Sequence, residues 1–268
     1  MRISFIGGGV MAEAMLAGIL DAGVASASDI RIGEPVESQR TYLAEKYGAS
    51  AHADNLDALE DADIVILAVK PQSLPEVMAD IRGRLDSRQT VLSIMAGVRM
   101  ETLVVGLDHA SVIRVIPNTP AQIRAGMSVW TASEEVPEDM VAAGRDILGT
   151  VGEELYVADE KLIDMATALM SSGPAYVFLF IEALIDAGVY LGVSRDVSRK
   201  LVLQMVSGST RLVAETGRHP ADLKDMVTSP GGTTAEALLT FDRGGFRGVV
   251  IDAVAAAYEK SRALGGSS

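Results

Sequence analysis

The apolar and polar positions divide this chain into two parts. Up to residue 158, short apolar runs alternate with longer amphipathic stretches. These runs predict strands at 3–6, 30–34, 64–69, 90–94 and 111–116, with edge strands at 126–130 and 153–157. Strands that alternate with helices indicate an α/β domain built on a doubly wound parallel sheet.

After residue 158 the pattern becomes helical. We predict helices at 161–170, 175–191 and 194–216, another that begins near Thr233, and a last one through Tyr258. A break at Ser171–Pro174 is expected between the first two of these helices. The stretch 161–191 is apolar nearly all round, which is typical of a helix buried in a large core or against another chain. We therefore expect 159–268 to be an all-helical domain that forms a homo-oligomer interface.

A glycine-rich turn follows the first strand. Gly7-Gly8-Gly9-Val10-Met11-Ala12 is a Gly-x-Gly-x-x-Ala version of the dinucleotide fingerprint. Gly7 would allow the tight turn, Gly9 the approach of backbone to a pyrophosphate, and Ala12 the close packing of helix on strand. The turn predicts a Rossmann-type, dinucleotide-binding domain over 1–158 that takes NADPH or NADH. The alternative is a glycine-rich strand–helix turn without chemical use.

Other strand ends offer further candidates, because ligands of such sheets lie beyond the carboxyl ends of the strands. Glu34 stands where an acid would bind the ribose hydroxyls, which favours NADH. Arg31 and Arg40 are close in sequence and argue for NADPH, so the preference stays open. Lys70–Pro71, Ala96–Gly97 and Asn118–Thr119 end three further strands, and ordinary turn chemistry explains each of them equally well.

A second turn lies late in the chain. Ser229-Pro230-Gly231-Gly232 runs into Thr233 and Thr234, after which an apolar helical pattern begins. A helix start offers unpaired N–H groups and the positive end of the helix dipole, which suit a carboxylate or a phosphate. An ordinary capped turn has the same composition.

Composition narrows the function classes. The formal charge of −13 disfavours nucleic-acid partners. The absence of cysteine excludes disulfides and thiolate catalysis, and the three histidines lack the spacing of metal ligands, which disfavours a zinc site. No apolar run reads as a leader or a membrane span, so we expect a soluble cytoplasmic protein without membrane partners.

Seven motifs are distributed over nearly the whole chain. The most specific is Lys224–Asp242, and the others are Phe5–Ala14, Ala68–Gln72, Met95–Val98, Arg114–Pro120, Ser172–Tyr176 and Ala183–Gly188. They occur in the order found in the Δ1-pyrroline-5-carboxylate reductase family, which the chain resembles over nearly its whole length.

The resemblance implies reduction of the cyclic imine pyrroline-5-carboxylate to proline with NADPH or NADH. It also implies a helical domain that intertwines with a partner subunit, in dimers or rings of dimers. Carried over by position, the substrate carboxylate would lie at Ser229, Gly231, Gly232 and Thr233, the Thr234 hydroxyl would face the ring nitrogen, and Asn118 is a further candidate for substrate binding. The implied cofactor residues are Gly7, Gly8, Gly9, Val10, Met11, Asn55, Ala68, Lys70 and Pro71, to which the strand-end argument adds Glu34.

Two positions depart from the family. Ser171 replaces a loop glycine, so a positive φ there would be strained. Glu34 stands near the position where members that prefer NADPH commonly have small or basic residues, which leaves the choice of cofactor open. One alternative is a related reductase that acts on another cyclic imine or on a hydroxy acid. A hydroxy-acid enzyme would need a catalytic lysine after the domain boundary, and Lys161 is the only candidate. The other alternative is a non-catalytic dinucleotide-binding regulatory protein.

Overall fold

A computed structural model describes residues 1–266. Its single sheet has eight strands in the order β3-β2-β1-β4-β5-β6-β7-β8. The strands are β1 (Ile3–Ile6), β2 (Ile30–Gly33), β3 (Ser50–His52), β4 (Ile64–Leu67), β5 (Thr90–Ser93), β6 (Val112–Ile116), β7 (Gly126–Ala132) and β8 (Gly152–Tyr156).

Strands β1 to β6 are parallel, with β1 between β2 and β4. The order reverses at β1, so the crevice beyond its carboxyl end is the switch point where ligands bind in such sheets. The prediction of a parallel sheet is confirmed for these six strands. Strand β7 runs antiparallel to β6, and β8 is parallel to β7.

Helices cover both faces of the sheet because the apolar residues of each strand alternate between two cores. Ile3 and Phe5 belong to the core beneath α1, α2 and α6, whereas Ile6 belongs to the core beneath α3, α4 and α5. These helices are α1 (Val10–Asp21), α2 (Glu37–Tyr47), α3 (Asn55–Leu59), α4 (Leu74–Ile81), α5 (Met100–Leu107) and α6 (Glu138–Gly149).

The rest of the chain is helical, as predicted. It contains α7 (Lys161–Ala166), α8 (Gly173–Tyr190), α9 (Arg195–Thr216), α10 (Pro220–Met226), α11 (Thr233–Arg243) and α12 (Phe246–Leu264). Two compact units comprise 1–172 with 257–268, and 173–256. The domain boundary expected at 158/159 stays a prediction.

The interruption expected at Ser171–Pro174 is not a loop. Thr167–Ser171 forms a π-turn, which the Ser172 N–H closes on the Thr167 carbonyl at 2.9 Å. Pro174 has no N–H for the carbonyl four residues earlier, and this Met170 oxygen instead accepts from Asn118 Nδ2 at 3.2 Å. Ser171 is not among the described residues with positive φ, so the strain considered at this position is absent.

Apolar side chains are widely exposed in the second unit. Within α8, Phe178 is 60% and Leu179 is 67% exposed, and Ile251 of α12 is 67% exposed. The segment Lys161–Tyr190 is long and apolar enough to cross a membrane by length and composition, so the expectation that no such segment exists is wrong. A helix that a second subunit covers has the same composition.

Candidate functional site

The glycine turn joins β1 to α1 at the switch point. The Gly7 N–H donates to the Gly33 carbonyl at 2.8 Å, and Gly7 has a φ of +97°. A Cβ at Gly7 would lie 2.9 Å from the Ala68 carbonyl oxygen, so the turn packs too closely on the end of β4 for a larger residue. Gly9 is the N-cap of α1, and no side chain of the described residues caps this helix. The first N–H groups of α1 therefore remain available to an anion.

A cleft of about 770 Å³ opens beyond the carboxyl ends of β1, β2 and β4. Seven of the predicted cofactor residues line it, namely Gly7, Gly8, Gly9, Glu34, Asn55, Ala68 and Lys70. Three others are not among its lining residues. Val10 is exposed, Met11 packs against the core beneath α1, and Pro71 begins a short 3₁₀ segment.

Glu34 is buried at the end of β2, with a fixed orientation. Its Oε2 accepts from the Gly8 N–H at 2.8 Å, and its Oε1 accepts from the Val36 N–H at 2.9 Å. Both carboxylate oxygens thus hold backbone donors. The side chain cannot turn out of the cleft without leaving the buried Gly8 donor unpaired, which is costly.

Asn55 lies at the first position of α3 and also lines the cleft. Its Nδ2 donates to Asp80 Oδ2 at 3.3 Å, and a Cβ on Gly33 would approach its Oδ1 to 2.8 Å. Gly33 therefore leaves room for the amide. Asp54 caps the helix by accepting from the Leu56 N–H at 2.8 Å, which is the sequence signal for α3 that the strand–helix pattern missed.

Sequence reasoning also missed the acidic wall of the cleft. Glu76 and Asp80 of α4 line it together with Asp54, although all three are far in sequence from the glycine turn. The only described lysine or arginine among the lining residues is Lys70, at the end of β4. These acids belong to no sequence motif. Any polar residues at their positions would give α4 the same amphipathic pattern.

Asn118 follows β6 and does not line the cleft. Besides its bond to Met170, its Oδ1 accepts from the Met127 N–H at 2.9 Å. The side chain therefore fastens the start of β7 to the π-turn, and its role in substrate binding stays a prediction.

The late turn belongs to the second unit. Gly231 has a φ of +66°, and the Gly232 N–H donates to the Ser229 carbonyl at 3.0 Å. A Cβ on Gly232 would lie 2.4 Å from Ser229 Oγ, so a larger residue here would displace this hydroxyl. Gly232 is the N-cap of α11, and no side chain of the described residues caps this helix.

Thr233 and Thr234 occupy the first turn of α11, with Thr233 exposed and Thr234 half-buried. The turn thus combines free helix N–H groups with three hydroxyls. That combination can bind a carboxylate without a cationic side chain.

The cleft fits a dinucleotide by its backbone. A Cβ built on Gly9 meets no atom within 4 Å, so a side chain there would enter the open cleft without disturbing the fold. Gly9 has a φ of −72°, which every residue can adopt, and its lack of a side chain is therefore not required by the backbone. A bare surface beside free N–H groups suits a pyrophosphate.

Two family models match the chain. One, described as NADP oxidoreductase coenzyme F420-dependent, covers residues 2–97, and the other, pyrroline-5-carboxylate reductase dimerisation, covers 160–264. Among solved structures, a pyrroline-5-carboxylate reductase from Coxiella burnetii superposes with a TM-score of 0.90 at 33% identity, covering 100% of this chain and 98% of that one. A Plasmodium falciparum pyrroline carboxylate reductase with NADP bound has a TM-score of 0.90 at 32% identity, over 99% and 98% of the two chains.

Curated relatives match over the same length. A pyrroline-5-carboxylate reductase from Synechocystis is 42% identical over 99% of this chain and 98% of its own. The enzyme of that name from Escherichia coli is 39% identical over 98% of each chain. Since these matches include both the glycine turn and the late Ser-Pro-Gly-Gly turn, the chain belongs to the pyrroline-5-carboxylate reductase family.

Proposed function

We propose that this protein reduces the cyclic imine Δ1-pyrroline-5-carboxylate to L-proline with NADPH or NADH, the last step of proline biosynthesis. The observation that carries the proposal is the family match over the whole chain, which includes the cleft of the first unit and the turn of the second. We place the reaction in the cytoplasm and in a homo-oligomer formed through the helical segment that matches the dimerisation model.

The first unit holds the dinucleotide in this proposal. Gly7, Gly8 and Gly9 with the start of α1 receive the pyrophosphate, and Glu34 and Asn55 bind the adenosine end. Ala68, Lys70 and the other residues at the end of β4 line the remainder of the cleft. When bound, the reduced dinucleotide supplies the hydride that the imine carbon receives.

The second unit orients the substrate. Ser229, Gly231, Gly232 and Thr233 bind the carboxylate at the positive end of α11, and the Thr234 hydroxyl hydrogen-bonds to the ring nitrogen. A protonated imine is already electrophilic, so the site contributes orientation more than strong acid catalysis. The absence of histidine from this turn agrees with that view.

Substitution of Thr234 tests this assignment. We expect Thr234→Ala to lower kcat by about tenfold or more while the dinucleotide Kd stays unchanged, because the hydroxyl acts mainly in the transition state. Thr234→Ser keeps the hydroxyl and should retain most of the turnover. Thr216→Ala, which removes another helical threonine hydroxyl, serves as the control. Unchanged turnover in Thr234→Ala would remove this residue from the mechanism.

A further inference from the structure

Glu34 and the acidic wall give the lining of the cleft a net negative charge. Four carboxylates line the cleft, from Glu34, Asp54, Glu76 and Asp80, against the single ammonium of Lys70. We propose that this cleft selects NADH over NADPH, with Glu34 as the residue that accepts the 2′-hydroxyl of the adenosine ribose and excludes a 2′-phosphate. The inference rests on the proposed function, since it concerns the same dinucleotide.

The geometry of Glu34 suits a hydroxyl donor. A carboxylate accepts about four hydrogen bonds, and the two backbone donors from Gly8 and Val36 leave lone pairs on both oxygens. A ribose hydroxyl can donate to such an oxygen in a strong, charge-assisted bond. A 2′-phosphate has no comparable donor, and it carries close to two negative charges at neutral pH.

The carboxylate cannot avoid an incoming phosphate. Its rotation would break both backbone bonds and leave the buried Gly8 N–H without a partner. Glu34 also directly follows the second strand of a βαβ unit, and in such folds an acid at this position binds the ribose. The preference is therefore fixed by the backbone of the glycine turn.

The arginines close to Glu34 in sequence bind other groups than its carboxylate. Arg31 pairs with Glu60 at 2.9 Å and also donates to the Asp57 carbonyl. Arg40 Nη1 donates to the carbonyls of Glu34 and Pro35 at 2.8 and 3.1 Å. Neither guanidinium is among the residues that line the cleft.

Direct binding measures the preference without turnover. Calorimetric titration of the wild-type oligomer with NADH and NADPH should give a Kd about tenfold or more lower for NADH, because repulsion between like charges a few ångströms apart is at least that large. ADP with and without a 2′-phosphate should show the same order, which assigns the discrimination to the ribose. Equal or tighter binding of NADPH would overturn the inference, while leaving the proposed function intact.

Variants locate the cause. Glu34→Gln should reduce the NADPH-to-NADH ratio of Kd values by about tenfold, whereas Glu37→Gln, which removes an exposed acid of α2 outside the cleft, should leave it unchanged. Circular dichroism checks that Glu34→Gln is folded. If it is not, the ratio of the wild-type Kd values for NADPH and NADH still tests the preference. A tenfold loss of NADPH affinity in Arg40→Gln would contradict the inference, since it would show a cation bound to the phosphate. Binding of neither nucleotide at millimolar concentration would refute the proposed function together with the inference.

Discussion

Arg114 offers a sharp test of how the sheet holds α7, the first helix of the segment that matches the dimerisation model. This residue of β6 has a side chain that is only 2% exposed, and its Nη2 lies 2.9 Å from Asp164 Oδ1 of α7. Its Nη1 lies 2.5 Å from Glu160 Oε1, which also accepts from the Met100 N–H at the start of α5. The guanidinium thus links β6 to α7 through Asp164. Through Glu160, it also links β6 to the start of α5.

Replacement of Arg114 by methionine should be strongly destabilising. Removal of one partner from a buried ion pair costs about 3–5 kcal/mol, because the other charge is left uncompensated. Asp164 is the residue left in that state, since its side chain is 10% exposed. Glu160 adds little because its side chain, 35% exposed, can be hydrated. We therefore expect a loss near the lower end of that range, about 3 kcal/mol.

Urea unfolding at pH 7 and fixed protein concentration measures this loss, since oligomers change stability with concentration. The double variant Arg114→Met/Asp164→Leu should be more stable than Arg114→Met alone, because no orphaned carboxylate remains. The control is Arg88→Met, which breaks an exposed ion pair with Asp86 and should change stability little. A loss below about 1 kcal/mol for Arg114→Met, as at a surface pair, would refute the reasoning.

Three further predictions concern the cleft, the π-turn and pH. Gly9→Val should fold normally but raise the dinucleotide Kd about tenfold or more in calorimetry, because its side chain enters the space proposed for the pyrophosphate; unchanged affinity would displace the proposed site. Ser171→Gly should destabilise the protein by roughly 0.5–1 kcal/mol in urea, as glycine does in a helix; a gain in stability would indicate strain at Ser171. Burial raises the pKa of the Glu13 carboxyl, but hydrogen bonds from Lys46, Tyr42 and Tyr47 outweigh it and hold this pKa below its ordinary value of 4.5. A lowered folded-state pKa stabilises above the unfolded-state value, so Glu13→Gln should destabilise at pH 7, and its deficit should shrink as pH falls below about 4.5; a constant deficit would contradict this.

Much of the first unit could be predicted because strand runs and glycine turns are local signals. The strand at 3–6, the turn that follows and the strands at 126–130 and 153–157 lie at nearly the predicted positions. The prediction that 126–130 is an edge strand is wrong, because β7 pairs with both β6 and β8. The antiparallel direction of β7 has no such signal, because an alternating apolar pattern reads the same in either direction. Strand β3 is only three residues long, and two of them, Ser50 and His52, are polar, so the apolar pattern does not predict it.

The break expected near Pro174 shows where local rules stop. Proline removes a backbone donor, and the sequence therefore predicted an interruption. The Met170 carbonyl that loses this donor is served by Asn118, more than fifty residues away in the chain. A long-range partner of this kind leaves no mark in the sequence around the proline. The sequence likewise does not predict that Glu76 and Asp80 of α4 line the cleft, because only the folded sheet brings them there.

The most direct test is the reaction itself. Purified protein is mixed with pyrroline-5-carboxylate and either NADH or NADPH, and the absorbance of the reduced nicotinamide is followed while proline is quantified. We predict rapid loss of absorbance with one proline formed for each dinucleotide oxidised. Dinucleotide binding by calorimetry, without oxidation of either NADH or NADPH, would contradict the account and favour another imine or a non-catalytic role.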